Sequence, residues 1–288
     1  MTTPRAIVQV SQSVPTMEGA GVSLRRVFGF AEPERFDPFL LMDDFRNERP
    51  QQYLAGFPWH PHRGIETITY MLAGEVTHGD SLGNEGTIGP GDVQWMTAGS
   101  GIVHQEMPKG NAGGQMGGFQ LWANLPRAQK MMDPRYRDVP AAEIPHVVLP
   151  GGASAKVIAG EIGGTKGPIT DVVIDPTYAD LSLPAGAELR LPTPRGHTAF
   201  AYVIEGAAHF DEARSRAVPD RHLVLLDDGD EVILSASDTP ARLLFIAGKP
   251  LGEPVAWRGP IVMNTEQELR TAFEEYRNGT FIKHGKPR

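Results

Sequence analysis

Two pairs of candidate metal ligands lie in the first half of the sequence: His60 with His62, and His104 with Glu106. The members of each pair are two positions apart, so on a β-strand they point to the same face. If the two segments form neighbouring strands, three imidazoles and one carboxylate converge. We therefore predict a metal site with these four residues as ligands. Solvated surface pairs are the competing interpretation, because a single His-x-His pattern is a weak signal.

The donor set of this predicted site indicates which ion it would hold. Three neutral imidazoles and one carboxylate, without sulfur, suit one divalent ion of Fe, Mn, Ni, Cu, Zn or Co. Such a set leaves room for two further ligands, as in the open sites of non-haem iron oxygenases, and Fe(II) is our first choice. A structural zinc ion is the alternative, although it usually prefers a closed tetrahedral site that often contains cysteine.

The segments around the candidate ligands have the pattern of short β-strands. Apolar and β-branched residues alternate in Ile65–Leu72 and Phe119–Leu125. Turns that contain glycine or proline recur about every 8–12 residues, which predicts an antiparallel sandwich or barrel. One helix is expected at about residues 265–278, because Thr265 and Glu268 form a capping box before a stretch with helical periodicity.

The second half of the chain repeats the pattern of the first half. Ala199–Gly206 resembles Ile65–Gly74 in its apolar alternation, its tyrosine and its closing glycine. The strand that matches Ile102–Glu106 is predicted to be Arg242–Ala247. On this alignment the four ligand positions carry the following residues: Pro192, Pro194, Arg242 and Leu244. Because the second copy lacks the ligands, we expect them to serve function rather than fold.

Length and repeat together predict two β domains, residues 1–140 with the metal ligands and residues 141–288 without them. The formal net charge of -8 argues against a nucleic-acid-binding surface. The chain has no cysteine, its N-terminus lacks the apolar segment of a signal peptide, and it contains no run of about 18 apolar residues. We therefore expect a cytoplasmic monomer that binds neither nucleic acid nor a membrane.

Other residues receive more ordinary interpretations. Glu66 lies four residues beyond His62, an even spacing that would place it on the same strand face, beside the ligands. Arg25 and Arg26 form a small basic patch that could contact a protein partner, or simply a surface pair. Surface or hydrogen-bonded roles are expected for the remaining histidines with no partner at ligand spacing: His78, His146, His197, His209 and His222. Candidates for the walls of a pocket, each of which could instead be core, are Phe57, Trp59, Met96, Phe119 and Trp122.

Several stretches of the chain resemble the pirin family of the cupin superfamily. They are His60–Thr67, Gly91–Gly99, Gly101–Glu106, Met131–Tyr136 and Gly252–Pro260. The resemblance extends over nearly the whole chain. It implies two stacked cupin barrels of the double-stranded β-helix, or jelly-roll, type, with a single iron ion in the N-terminal barrel. The family's set of three histidines and one glutamate maps onto these positions: His60, His62, His104 and Glu106.

The resemblance also implies two activities. Bacterial pirins are associated with quercetin 2,3-dioxygenase activity, which opens a flavonol ring with O2 and releases carbon monoxide. Pirins of nucleated cells are linked to iron- and redox-dependent binding of transcription regulators. We favour a dioxygenase that takes a small aromatic substrate and O2, with Glu106 as a metal ligand and as the general base for the 3-hydroxyl group. A non-catalytic, redox-sensing regulator that binds a protein partner is the alternative.

Overall fold

The computed structural model of the chain describes residues 2–284. These residues form two structural units. The first unit contains Val14–Ala141 and the segment from Leu251 onward, and the second contains the residues up to Ser13 and Ala142–Pro250. Strands dominate both units, which confirms the all-β prediction.

The strands before residue 140 are, in chain order, β1 (Ile7–Gln12), β2 (Val14–Glu18), β3 (Val22–Phe28), β4 (Phe39–Asp44), β5 (Phe57–His62), β6 (Ile65–Ala73), β7 (Glu75–Asp80), β8 (Glu85–Ile88), β9 (Val93–Thr97), β10 (Ile102–Lys109), β11 (Gly117–Asn124) and β12 (Arg135–Val139). Three single turns of 3-10 helix are Pro50–Gln52, Ala141–Glu143 and Pro150–Gly152.

The later strands are β13 (His146–Val148), β14 (Ser154–Ala159), β15 (Glu161–Ile162), β16 (Thr165–Lys166), β17 (Thr177–Leu183), β18 (Glu188–Pro192), β19 (Thr198–Glu205), β20 (Ala207–His209), β21 (Val218–Pro219), β22 (His222–Leu226), β23 (Glu231–Ala236), β24 (Ala241–Gly248), β25 (Ala256–Arg258) and β26 (Ile261–Met263). The helix α1 (Glu266–Arg277) follows.

Each unit contains one seven-stranded and one four-stranded antiparallel sheet, and β15-β16 and β25-β26 form two-stranded sheets besides these. In the first unit the large sheet has the strand order β12-β9-β6-β11-β4-β3-β2, and the small sheet has the order β5-β10-β7-β8. In the second unit the corresponding orders are β1-β22-β19-β24-β17-β14-β13 and β18-β23-β20-β21. The predicted internal repeat is therefore present, strand for strand, in both sheets.

This strand order corrects the predicted alignment of the two halves. The strand β10, which carries His104, occupies the place that β23 occupies in the second unit, whereas Arg242–Ala247 lies in β24, the counterpart of β11. The prediction that Arg242–Ala247 matches Ile102–Glu106 is therefore wrong. The Gly-Asp turns used for that alignment precede different strands, since Asp92 leads into β9 and Asp230 leads into β23.

Strand register supplies the corrected equivalents of the ligand positions. His62 pairs with Ile102 at the start of β10, and Pro192 pairs with Glu231 at the start of β23. Counting from these pairs, the equivalents of the four predicted ligands are, in order, Arg190, Pro192, Ile233 and Ser235. None of the four carries an imidazole or a carboxylate, so the second unit forms the same sheets without the ligand set.

The two ends of the chain lie in different units from those predicted. The predicted cut between residues 140 and 141 lies beside one division of the structure, but β1 pairs with β22 and so joins the second unit. The segment from Leu251 onward, with α1, joins the first unit. Within that unit, Arg63 binds Glu275 of α1 through a hydrogen bond of 2.7 Å.

The helix confirms its sequence signature. Thr265 accepts a hydrogen bond from the backbone N–H of Glu268, and the Glu268 side chain accepts one from the backbone N–H of Thr265, as in a capping box. Gly279, two residues after the helix, has a φ of +72° that suits glycine. Among residues 2–284, no helix is long and apolar enough to cross a membrane.

Candidate metal centre

Three histidines on neighbouring strands of the small sheet converge. β5 carries His60 and His62, and β10 carries His104 directly opposite His60. The ligand atoms of the three rings all lie within 4.8 Å of one another, and the ring centroids are between 4.3 and 5.0 Å apart. The structure thus brings three of the four predicted ligands together.

Hydrogen bonds determine which nitrogen of each β5 histidine carries the proton. The Nδ1 atom of His60 lies 2.9 Å from the carbonyl oxygen of Pro58, and that of His62 lies 3.0 Å from the carbonyl oxygen of Pro260. Because a carbonyl oxygen only accepts, both Nδ1 atoms must donate. In neutral rings the two Nε2 atoms then hold bare lone pairs, yet they are only 3.1 Å apart. A cation between them would remove this repulsion.

Burial keeps two of the three rings, His62 and His104, from taking up a proton. Burial first, and then the neighbouring His60 ring, lowers the pKa of His62 well below its usual 6.5. Burial, followed by His60 and His62, likewise lowers the pKa of His104. Both buried rings are therefore neutral near pH 7, which is the form that ligates metals. The Nε2 atom of His104 is buried and has no hydrogen-bond partner among residues 2–284, so the residues present fit a metal ion.

Glu106 differs from the three histidines in its placement. It lies two residues after His104 on β10 and lines a cavity together with His60 and His62. The pairing of β10 with β5 shifts register between His104 and Glu106, and the carboxylate is outside the group of atoms within 4.8 Å. Glu106 as the fourth ligand therefore stays a prediction.

A cavity of about 470 Å³ opens beside the histidines. Its apolar walls include Val22, Leu24, Leu41, Phe45, Val76 and Met116. Of the predicted wall residues, Phe57 and Trp122 line this cavity, and the Trp122 ring stands edge-on to His62 at 5.0 Å. Met96 and Phe119 are instead fully buried, Met96 within a core cluster, and Trp59 is 38% exposed.

A row of polar side chains crosses one wall of this cavity. Arg26, Asp43, Gln120 and Thr69 lie directly opposite one another on β3, β4, β11 and β6. Arg26 donates two hydrogen bonds of 2.9 Å to the Asp43 carboxylate. Thr69 donates one of 3.0 Å to the side-chain amide oxygen, Oε1, of Gln120. The Gln120 Nε2 atom is buried without a partner, so the wall presents one unsatisfied donor.

The second unit shows that the fold does not need this polar row. At the paired positions of β17, β24 and β19 it carries Ala179, Phe245 and Ala201. All three belong to one hydrophobic core cluster of the second unit. The polar residues of the first unit are therefore placed for something other than sheet formation. Sequence inspection missed them because an isolated Gln or Thr in a strand carries no signal by itself.

Two expectations for charged residues do not hold. Arg26 faces the cavity and pairs with Glu18 and Asp43, so it is not part of a surface patch for a partner.

Glu66 is buried and accepts a hydrogen bond of 2.6 Å from Thr97, whereas its strand neighbour Thr67 lines the cavity. Successive residues on a strand face opposite ways, so Glu66 faces away from the histidines. The turn between β5 and β6 breaks the even spacing that the prediction assumed.

The turn after His62 is held by two buried basic side chains, Arg63 and Lys130. Arg63 donates a hydrogen bond of 2.6 Å to the Ser100 carbonyl oxygen and one of 2.7 Å to the Glu275 carboxylate. Lys130 donates to the Gly64 carbonyl oxygen at 2.9 Å, and also to the Asn124 side chain at 2.6 Å and the Val262 carbonyl oxygen at 3.2 Å. These hydrogen bonds hold the backbone that directly follows His62 in place.

Behind His104 lies a fourth histidine that sequence inspection assigned an ordinary role. His78 on β7 is buried, and its Nδ1 atom is 3.5 Å from Nδ1 of His104. Its Nε2 atom is 3.2 Å from Asp80, which is also buried. Burial raises the pKa of Asp80, but hydrogen bonds from His78, Asn84 and Leu82 outweigh it and leave the pKa below its usual value. The two-residue spacing of His78 and Asp80 on a strand could have predicted that these side chains share a face.

Comparison with known proteins places this chain among pirins. The Pirin family model matches residues 21–123, and the Pirin C-terminal cupin domain model matches residues 178–282. A pirin-like protein of Caulobacter vibrioides is 45% identical over 278 residues, which cover 96% of this chain and 99% of that protein. A pirin-like protein of Solanum lycopersicum is 42% identical, with 96% and 92% covered. A crystal structure of quercetin 2,3-dioxygenase from Acinetobacter baumannii is 33% identical, with a TM-score of 0.88 and with 97% and 99% covered.

Proposed function

Because the chain belongs to the pirin family, we propose that it is a metal-dependent dioxygenase that opens the ring of a flavonol such as quercetin with O2. One observation carries this proposal: His60 and His62, which converge with His104, line an apolar cavity that has one polar row. The likeness to the Acinetobacter baumannii enzyme, which is named for this reaction, supports it.

The metal would be held by the three histidines together with Glu106. Fe(II) is the ion we propose, because a site of nitrogen and oxygen donors with open positions suits it. When bound, the ion supplies a Lewis acid for the adjacent hydroxyl and carbonyl oxygens of the flavonol and a place for O2 to react. The chain itself supplies binding, orientation and proton transfer.

The cavity walls would bind the aromatic rings of the substrate. Residues such as Leu24, Phe45 and Phe57 offer an apolar surface, and burial of aromatic area there is the main source of affinity. The unsatisfied Nε2 donor of Gln120 would bind a hydroxyl or carbonyl oxygen of the ligand. This contact would orient the flavonol, since a buried donor without a partner costs about 1–3 kcal/mol.

Glu106 would also act on the proton of the substrate. Its carboxylate lies on the cavity wall, two residues from His104, where it can reach a hydroxyl group held near the three imidazoles. Removal of the 3-hydroxyl proton places negative charge on the flavonol and makes it more easily oxidised by O2. The apolar walls exclude water and so protect that anion from reprotonation.

The proposal is tested by quercetin turnover in the metal-loaded protein. Wild-type chain loaded anaerobically with Fe(II) is mixed with quercetin, and O2 uptake and carbon monoxide release are measured after air is admitted. We expect both in the wild type and neither in His104→Ala. His222→Ala in the second unit, whose ring bonds to the backbone carbonyl of Asp220, is the matched control and should retain turnover.

A Glu106→Gln variant separates the two roles of the carboxylate. We expect it to bind the ion more weakly and to lose most turnover even when fully loaded, because the amide cannot accept the proton. If iron-loaded wild type consumes no O2 with quercetin, the dioxygenase proposal fails and the redox-sensing regulator becomes the account to test.

A further inference from the structure

We infer that His78 and Asp80 are positioning residues of the metal centre: they hold His104 with Nδ1 protonated and Nε2 bare, aimed at the ion. This inference rests on the metal centre proposed above. It assigns a task to a buried His-x-Asp pair on β7 that the proposed reaction does not otherwise use.

Asp80 is the fixed end of this chain of contacts. Its side chain is fully buried, and it accepts hydrogen bonds from the backbone N–H of Leu82 at 2.8 Å and of Asn84 at 3.0 Å. The Asn84 side-chain amide donates a third bond of 2.8 Å. Because several donors already point at the carboxylate, it can only accept from the imidazole of His78.

The proton positions of both histidines follow from that anchor. His78 Nε2 lies 3.2 Å from the Asp80 carboxylate, so Nε2 carries the hydrogen and Nδ1 holds a lone pair. That lone pair lies 3.5 Å from Nδ1 of His104, which must then donate. The remaining nitrogen of His104, Nε2, is left bare, and it is the atom buried without a partner beside His60 and His62.

The plane of the His78 ring is also fixed. The Tyr136 ring stacks on it with centroids 4.5 Å apart and an interplanar angle of 28°. The Tyr136 hydroxyl in turn accepts a hydrogen bond of 3.0 Å from Gln94. Because the His78 ring cannot turn, its bond to Nδ1 of His104 keeps His104 in one tautomer and one orientation. A histidine ligand held in this way binds metal more tightly.

The second unit carries the same pair in a different network. By strand register, His209 and Asp211 are the equivalents of His78 and Asp80. There the place of His104 is taken by Ile233, His209 bonds to Ser237 at 2.8 Å, and its buried Nδ1 atom has no partner. The His-x-Asp pair is thus part of both units, but it meets a metal-site imidazole in the first unit. His209 is therefore a matched control for His78.

The first test is the tautomer of His104 in the metal-free protein, read from ¹⁵N chemical shifts in imidazole-labelled full-length chain. We expect His104 protonated at Nδ1 in the wild type, and a mixture of tautomers in Asp80→Asn. Protonation of His104 at Nε2 in the wild type would overturn the inference, as would an unchanged His104 signal in Asp80→Asn. Neither reading depends on quercetin turnover, so it stands apart from the fate of the proposed function.

The second test is metal affinity, with Co(II) as the probe because its visible absorption reports coordination geometry. His78→Leu should bind about ten-fold more weakly or worse, with an altered spectrum. His78→Asn, whose carbonyl oxygen can still accept from His104, should stay within about three-fold of wild type and so separates this role from folding. His209→Leu should match wild type. Equal losses in His78→Leu and His209→Leu, or none in either, would contradict the positioning role.

Discussion

At the scale of single residues, the two units share a turn glycine but differ in side chains that line the cavity of the first unit. Gly74 and Gly206 both have positive φ and end the equivalent strands β6 and β19. In contrast, Thr69 and Gln120 of the first unit are replaced by Ala201 and Phe245 in the second. The shared glycine suits the same turn in both units, whereas the polar Thr69 and Gln120 occur in the first unit and line its cavity.

Gln120→Leu should weaken ligand binding without affecting the metal. The variant removes the one unsatisfied donor of the polar row and keeps the volume of the side chain. Loss of a hydrogen bond worth about 1 kcal/mol corresponds to about a five-fold rise in the dissociation constant of quercetin. Fluorescence titration measures it, with Gln267→Leu on the exposed face of α1 as the control. An unchanged constant in Gln120→Leu would show that the polar row does not contact the ligand.

The sequence carried enough information to locate the histidines but not their surroundings. The i, i+2 pairs predicted His60, His62 and His104 because strand geometry alone places them on one face. The rule that residues an even number of positions apart share a strand face failed for Glu66. The turn at Gly64, with a φ of +79°, lies between His62 and Glu66, so the two residues belong to different strands. The carbonyl of Pro260 that fixes His62 comes from a segment about 200 residues later, which no local pattern can reveal.

At the scale of elements, the C-terminal segment holds the turn between β5 and β6. The Lys130 amino group joins Gly64 of this turn to Val262 of β26 and to Asn124 of β11. Lys130 is only 1% exposed. These contacts position His62, the proposed ligand at the end of β5, because His62 lies two residues before Gly64 and bonds to Pro260 just before β26.

Lys130→Met should destabilise the first unit by about 2–4 kcal/mol. The substitution keeps the length of the side chain but leaves buried acceptors of the turn and of β26 without a donor. Urea denaturation at neutral pH measures the change in the free energy of unfolding. The exposed Lys166→Met control should change it by no more than about 0.5 kcal/mol. Equal values for the two variants would contradict this role of Lys130.

The contribution of Lys130 should depend on pH. Burial lowers its pKa from 10.5 to about 7, against the attraction of Glu253 and Glu268. Between these two values the unfolded chain binds the proton more strongly than the folded one, so stability rises with pH across this window. We expect the gap in unfolding free energy between wild type and Lys130→Met to widen by on the order of 2 kcal/mol from about pH 7 to about pH 9. A constant gap would mean that the lysine stays charged.

Element pairing also explains which parts of the architecture were predicted. Short strands and the capped helix follow from local patterns, and they are present. The membership of β1 depends on its pairing with β22, where Ile7 lies opposite Leu226. That contact joins residues more than 200 positions apart in the chain, so alternation within β1 could not identify it. The misaligned strand Arg242–Ala247 arose in the same way, from a turn that resembled another locally.

At the scale of the whole molecule, metal binding should couple to the stability of the first unit. The three proposed ligands lie on two strands, and His62 bonds to the segment before β26, so one ion would connect distant parts of the chain. If only the folded state binds the ion, a free ion concentration of about 100 times the dissociation constant raises the free energy of unfolding by about 2.7 kcal/mol. A chelator should therefore lower the denaturation midpoint of wild type, measured by calorimetry, and leave that of His104→Ala unchanged. Equal shifts in both proteins would show that the ion binds elsewhere.

The central claim is that His60, His62 and His104 hold one divalent ion in the first unit, and metal stoichiometry tests it most directly. Full-length chain is dialysed anaerobically against Fe(II), and its metal content is measured beside that of a His60→Ala, His62→Ala double variant and a His209→Ala, His222→Ala double variant of the second unit. We predict about one ion per chain in the wild type and in the second-unit variant, and almost none in the first-unit variant. A wild type without bound iron, or a first-unit variant that keeps one ion per chain, would contradict the claim.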